Sequence, residues 1–276
     1  MGKTKFKKLI IHADDFGMTR GVTEGILKAI QDGCVTSTSC LINFPASDAA
    51  LEQAKNLQID LGWHINLTLG RPICDSREIP SLVQKDGTFY PLLPFILRSF
   101  MGRIRSEDVE KEIEAQHQKF SQHGISLSHA DGHQHVHILP IVRDVVARFV
   151  SEKKIPFVRI PRELGGFSVP HWPVRFFVRA LTVNHSIENT RSLPFYGFSL
   201  GTKGGELGEW QKLLARITEE TAEVMVHPAI LHPEDDYHGD DFPGDRSAEL
   251  LLLTDPEFKN ILNGKGFELT NFQRLR

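Results

Sequence analysis

The sequence lacks most of the features that would settle its class at a glance. It carries three cysteines in 276 residues, Cys34, Cys40 and Cys74. They form no metal-type pair, and any one disulfide would leave a thiol over, so neither a cysteine metal site nor a disulfide framework is expected. No apolar run approaches the roughly 18 residues that a membrane span requires. The basic start MGKTKFKKLIIHADD offers only Leu9, Ile10 and Ile11 before His12 and two acids, too little for a signal-peptide core. An excess of one charge is missing as well. With 32 basic and 35 acidic residues the net charge is −3, which gives no general attraction to nucleic acid. No tract is low in complexity, and no repeat with a period of about 20–50 residues is present. These absences predict a soluble, cytoplasmic protein with no nucleic-acid partner and no transmembrane segment.

What the chain does have is histidine, thirteen in all, with four between positions 129 and 137. Its organisation is regular. KKLIIHA reads as a short buried strand ending at a polar turn, Asp14-Asp15-Phe16-Gly17, and Val22, Ile26, Ala29 and Ile30 then recur at helical spacing. A β-branched run over 35–42, a helix over 46–57 from a Ser47/Asp48 cap and an apolar run over 59–63 ending at His64 follow. Residues 72–101 break the pattern with proline, glycine and aromatics and read as a long excursion. A helix over 106–123, a strand over 125–129, a helix over 141–150, a strand over 157–160, a helix over 206–221 and a strand over 223–226 complete the alternation.

Alternating strands and helices predict an α/β protein with a parallel sheet. Both a barrel and an open doubly wound sheet satisfy that alternation. Polar clusters fall just past the ends of four strands, at Asp14/Asp15, His64, Asp131/His133 and His227. Such a distribution suits a (β/α) barrel, whose strand-end loops converge on one mouth. The first turn is also not glycine-rich, as an open nucleotide-binding sheet would prefer. The expectation is therefore one barrel domain over 1–276, with loop insertions near 72–101 and 163–200.

Several residues are suited to chemistry. Asp14 and Asp15 place two carboxylates at a strand end, which a bound cation or a raised pKa would relieve; a helix N-cap is the plain alternative. His64 follows an apolar strand and could equally be a hydrogen-bonded core residue. In His129-Ala130-Asp131-Gly132-His133-Gln134-His135-Val136-His137, an extended chain would align every second residue, and a helix would align His133 with His137. His227 is constrained by the following Pro228, which suits packing or a positioned acid. Arg159 and Arg162 flank Pro161 after a strand, with surface salt bridges as their plain role, and Arg246 is a third candidate. The acidic segment 233–241 reads as a solvated loop. A carboxylate with two histidines suits Zn²⁺, Mg²⁺, Mn²⁺ or Fe²⁺, and a second carboxylate beside it points to a hydrolase rather than an oxygenase.

Ala13-Asp14-Asp15-Phe16-Gly17, Val35-Thr36-Ser37-Thr38-Ser39, Gly62-Trp63-His64-Ile65-Asn66-Leu67-Thr68, Asp131-Gly132-His133-Gln134-His135-Val136-His137 and Val226-His227-Pro228 together resemble the YdjC-like carbohydrate deacetylases of the ChbG/HpnK type. The resemblance covers about residues 8 to 253. It implies a deformed (β/α) barrel of the polysaccharide-deacetylase type, with parallel strands and outer helices. It also implies one divalent metal ion, Mg²⁺ by family habit with Zn²⁺ or another transition metal as alternatives. Matched by position, Asp15, His64 and His133 are its ligands, Asp14 the base and His227 the acid. Arg159, His137 and Arg246 are then expected to contact substrate. One departure is Ala229, where many members carry glycine after His-Pro.

The implied activity is hydrolysis of an acetyl group from an N-acetylated amino sugar, free or in a glycoconjugate, with an aspartate base and metal-bound water. Two other readings stay open: another metal-dependent hydrolase such as a phosphoesterase, and a non-catalytic carbohydrate-binding protein on the same fold. Phe89, Tyr90, Phe95, Phe100, Trp172, Phe176, Phe177 and Tyr196 are expected to shape the pocket by stacking on sugar or lipid, with core packing or a homodimer interface as the alternative. Arg175 and Arg179 beside the last phenylalanines add a weaker case for a membrane surface.

Overall fold

The computed structural model describes residues 6–163, 190–237, 239–240 and 242–276. Trp172, Arg175, Phe176, Phe177 and Arg179 lie outside them. The described strands are β1 (Lys7–Phe16), β2 (Ser37–Cys40), β3 (Leu61–Ile65), β4 (Ala130–Gly132), β5 (Phe195–Tyr196), β6 (Thr221–Val226) and β7 (Phe267–Leu269). All pair in parallel, in the order β4-β3-β2-β1-β6-β5, with β7 also on β1. Parallel bridges Ala130–Val158 and Glu163–Phe195 let segment 157–163 carry the curl from β4 round to β5. The result is a curled, barrel-like parallel sheet with helices outside it. No described helix is long and apolar enough to cross a membrane.

Side-chain alternation along the strands separates two environments. Leu9, Ile11 and Ala13 of β1 face the large apolar cluster beneath the helices, together with Trp63 and Ile65 of β3 and Val224 and Val226 of β6. The other face turns inward. Ile10 packs with Phe157 and Phe272 in a separate small cluster that plugs the interior. Beyond that plug the inward positions are polar. Parallel register sets His12 beside Ser37, Ser39 beside Gly62, His64 beside Asp131 and Ile10 beside Glu223. His12, Ser37, Ser39, His64, Asp131 and Glu223 are all buried. A polar column therefore stands inside an apolar shell, and every group in it must find a partner or cost several kcal/mol, on the order of 1–3 each.

The outer helices are α1 (Arg20–Gln31), α2 (Ser47–Asn56), α3 (Leu92–Phe100), α4 (Ser106–Gln122), α5 (Pro140–Glu152), α6 (Leu207–Arg216), α7 (Arg246–Leu253) and α8 (Pro256–Gly264). Several differ from expectation. The cap of α1 is Thr19, whose hydroxyl accepts from the Val22 N–H at 3.1 Å, so the N-cap reading of Asp14 and Asp15 is wrong. The polar turn begins later than expected, because β1 runs on through Phe16. Within 72–101 the chain still forms α3, with Phe95 fully buried and Leu93, Leu97 and Phe100 exposed. The strand expected over 125–129 sits at 130–132 instead. The closing elements α7, α8 and β7 were not anticipated, and β7 extends the edge of β1 ahead of β2.

Candidate active site

Two neighbouring carboxylates reach one cavity because the backbone of β1 breaks its own alternation. The register between β1 and β2 shifts between Ala13 and Phe16, and Asp15 has φ of 71°. In a regular strand Asp15 would point into the helical shell. The bulge and the left-handed residue turn it inward beside Asp14, and aspartate tolerates that conformation better than most residues. Gly17 follows with φ of 85°, packed so close to Leu41 and Ser47 that a side chain there would crowd their backbone.

Asp15 is the centre of the first group. Its Oδ1 lies 3.2 Å from His133 Nδ1 and 3.4 Å from His64 Nε2, while its Oδ2 accepts from Arg246 at 2.8 Å. Burial pushes its pKa up, but Arg246 and the bonds from His133 and His64 outweigh that and hold it well below the carboxylate range. Donor atoms of Asp15, His64 and His133 all lie within 4.8 Å of one another, and the second nitrogen of His133 is buried without a hydrogen-bond partner, 3.9 Å from Asp240 Oδ1. His64 donates through Nδ1 to Asp131 at 2.8 Å. Burial opposes its charge, yet Asp131, Asp15 and Asp14 push it up to about 10. Among the described residues, Asp14, Asp15, Asp131 and Glu223 are buried together against the guanidinium groups of Arg159 and Arg246 and the rings of His12, His64 and His133. Such an excess of negative charge, with mixed nitrogen and oxygen donors, fits a divalent cation at Asp15, His64 and His133.

Asp14 is the centre of the second. Arg159 grips it with Nη1 at 2.7 Å and Nη2 at 2.8 Å, and reaches Asp131 at 3.0 Å and Glu223 with Nε at 2.7 Å. Burial raises the Asp14 pKa and Arg159 lowers it further, to about 2. The surface salt bridge expected for Arg159 is thus a buried one, and its fork is occupied by carboxylates rather than turned to the cavity. Arg162 is exposed.

The cavity encloses about 370 Å³ and is lined by Asp14, Asp15, His64, His133, His135, His227, Asp240 and Glu249, with Leu92, Phe198, Leu200, Met225 and Phe242 as apolar wall. His227 stands at the end of β6 with its ring 4.1 Å from that of Phe242. Burial pushes it down to about 4, against the pull of Asp15 and Asp14. The histidine-rich segment is neither extended nor α-helical. It is a short tight helix, His133–Ile138, in which Gln134 and His135 take left-handed φ of 50° and 57°. His133 therefore faces Asp15 while His137 turns behind the site and bonds the Arg159 carbonyl through Nε2 at 2.9 Å. Of the aromatic residues expected at the pocket, Phe89, Phe95 and Tyr196 are core and Phe100 is exposed; Phe198 and Phe242 line it instead.

Three participants went unrecognised in the sequence. Asp240, in the segment read as solvated loop, meets Arg246 at 2.7 Å and lines the cavity. Asp235 ties the same segment to α1 through Thr19 and the Gly21 N–H, each at 2.9 Å. Glu249 accepts the His227 backbone N–H at 2.6 Å and is pushed up to about 7 by burial. Only the alternation of charged and apolar residues in 233–249 could have hinted at them.

A sequence profile of the YdjC-like protein family matches residues 8–264. The chain belongs to the YdjC-like family. Among YdjC-like relatives, a carbohydrate deacetylase of Geobacillus stearothermophilus is 35% identical over 96% of this chain and 97% of its own. A chitooligosaccharide deacetylase of Yersinia pestis is 32% identical over 96% and 98%. A solved structure from Enterococcus faecalis, named for cellobiose-phosphate cleavage, superposes with a TM-score of 0.79 at 27% identity, covering 98% of this chain and 99% of that one. This YdjC-like chain thus shares the whole fold with that structure, not a fragment of it.

Proposed function

We propose that this protein is a metal-dependent hydrolase that removes the acetyl group from an N-acetylated amino sugar, free or within a glycoconjugate. The observation that carries the reading is the turning of both Asp14 and Asp15 into one cavity, one beside two histidines and the other clamped by an arginine. The relatives named as carbohydrate and chitooligosaccharide deacetylases support the substrate class.

Asp15, His64 and His133 would hold the cation, Mg²⁺ or a transition ion such as Zn²⁺, which would acidify a water and polarise the acetyl carbonyl. Asp14 stays ionised in the grip of Arg159 and accepts the proton of the attacking water. His227 is neutral near neutral pH; negative charge growing on the bound acetyl group beside it would raise its proton affinity, so that it takes up a proton from solvent and hands it to the departing amine, while Asp14 returns the water's proton to solvent. Arg246 holds Oδ2 of Asp15, while Oδ1 faces His64, and Asp240 in turn bonds Arg246. The occupied fork of Arg159 favours positioning of Asp14 over direct contact with the sugar, whereas Arg246 bonds Asp15 and Asp240 through Nη2 alone.

Cleavage of a phosphate ester is the competing reading. The lining of the cavity opposes it. Among the described residues it presents Asp14, Asp15, Asp240 and Glu249 and no lysine or arginine, so that only the proposed cation would offset the charge of a phosphate there. The test is a screen of N-acetylated mono-, oligo- and lipid-linked sugars beside phosphate esters, with Mg²⁺, Zn²⁺ or Co²⁺ added. Acetate without phosphate is expected; phosphate without acetate overturns the reading.

A further inference from the structure

We propose that Asp131 is a positioning residue that fixes the ring of His64 for cation binding. The inference rests on the reading of Asp15, His64 and His133 as the cation site. Asp131 and His64 are register partners on β4 and β3, so the sheet itself sets the two side chains side by side on the inner face. Both are fully buried, and Asp131 is absent from the cavity lining among the described residues.

Each oxygen of Asp131 is committed. Oδ1 meets His64 Nδ1 at 2.8 Å. Oδ2 accepts from Ser39 at 3.0 Å and lies 3.0 Å from Arg159 Nη2 and 3.2 Å from His12 Nε2. A carboxylate beside an arginine can only accept, so the hydrogen of His64 stays on Nδ1, and Nε2 is aimed at Asp15 Oδ1, 3.4 Å away. Ser39 also touches His64 Nδ1 at 3.0 Å, which braces the ring from a second strand.

His12, His129 and Asp131 are close enough together to suggest a second cation site deeper in the barrel. Arg159 at 3.0 Å from the same carboxylate opposes a cation there, and His129 instead stacks on Phe272 with ring centroids 4.0 Å apart. The deeper group is support for His64, not a second centre.

The experiment is a titration of metal-stripped protein with Co²⁺, followed by its visible absorption, for the wild type, Asp131→Asn and Ser39→Ala. Asp131→Asn should weaken Co²⁺ binding about 10- to 100-fold and change the absorption band, as loss of the group behind a metal-binding histidine does. Ser39→Ala, which leaves the charge in place, should weaken it about fivefold and decides the matter if Asp131→Asn does not fold. Wild-type Co²⁺ affinity in folded Asp131→Asn, or in Ser39→Ala where that is the variant that folds, overturns the inference while the cation reading stands. A wild-type protein that takes up no Co²⁺ overturns the cation reading, and this inference with it.

Discussion

Arg159 holds both oxygens of Asp14 from inside the barrel, at 2.7 and 2.8 Å. The arginine and the aspartate come from opposite arms of the chain, and neither is open to solvent in any quantity. This pair keeps Asp14 ionised and, in the proposed reaction, would fix where a proton is accepted. Removing the arginine leaves Asp14, Asp131 and Glu223 without their common counter-charge. Arg159→Met should therefore destabilise the fold by about 3–5 kcal/mol, the usual cost of orphaning a buried ion pair. Arg159→Lys keeps the charge but loses the fork, and should melt closer to the wild type while losing at least about tenfold in turnover. Thermal melts and acetate release on the same preparations check both.

Asp15 and His133 are predicted to govern cation content. Asp15→Asn and His133→Ala should each lower the metal retained after dialysis at least about tenfold, because the first removes the site's charged oxygen and the second one of its two nitrogens. Elemental analysis of the purified variants reads this directly, and full metal retention in both would contradict the ligand assignment.

Glu249 gives a pH signature that is read on metal-free protein. Burial raises its pKa from 4.5 to about 7 in the folded protein. Below pH 4.5 the carboxyl is protonated folded or unfolded, and its contribution is present in full. As pH rises the unfolded chain ionises first, so stability falls until the folded group ionises near pH 7, and then levels. The total is about 3 kcal/mol. Glu249→Gln keeps an oxygen for the His227 N–H and should flatten that part of the profile, as measured by urea unfolding across pH 4 to 8, a window of about four units set by these pKa values.

Gly62 leaves the space that His129 fills. A Cβ built on it collides with the His129 imidazole, which is buried between Phe272 and His12. Gly62→Ala should cost about 1–3 kcal/mol by overpacking, seen as a lower unfolding midpoint, with little change if His129 could simply move aside.

The sequence made the strand ends visible because apolar runs and polar stops alternate so sharply at His64, Asp131 and His227. It made the inner polar column less visible. His12 looks like the tail of an apolar run, and Ser37 and Ser39 look like ordinary strand residues until register sets them opposite it. The bulge at Asp15 was hidden because a left-handed aspartate carries no local mark, and alternation alone would have split the two acids between faces. Arg159 looked like a surface residue since its partners Asp14, Asp131 and Glu223 are far away in sequence. Asp240 and Glu249 were missed for the same reason: a carboxylate in an acidic loop reads as solvated until the fold brings Arg246 and His227 against it. Local pattern carries local structure well. Long-range pairing of charges must be supplied by topology.

The account turns on Asp14 as the proton acceptor next to a separate cation site, and one paired measurement tests it. Metal content and acetate release are determined on the same samples of wild-type protein and Asp14→Asn, with an N-acetylated chitooligosaccharide as substrate. The account predicts equal metal in both and acetate from the wild type alone. Acetate released by Asp14→Asn at the wild-type rate would contradict it.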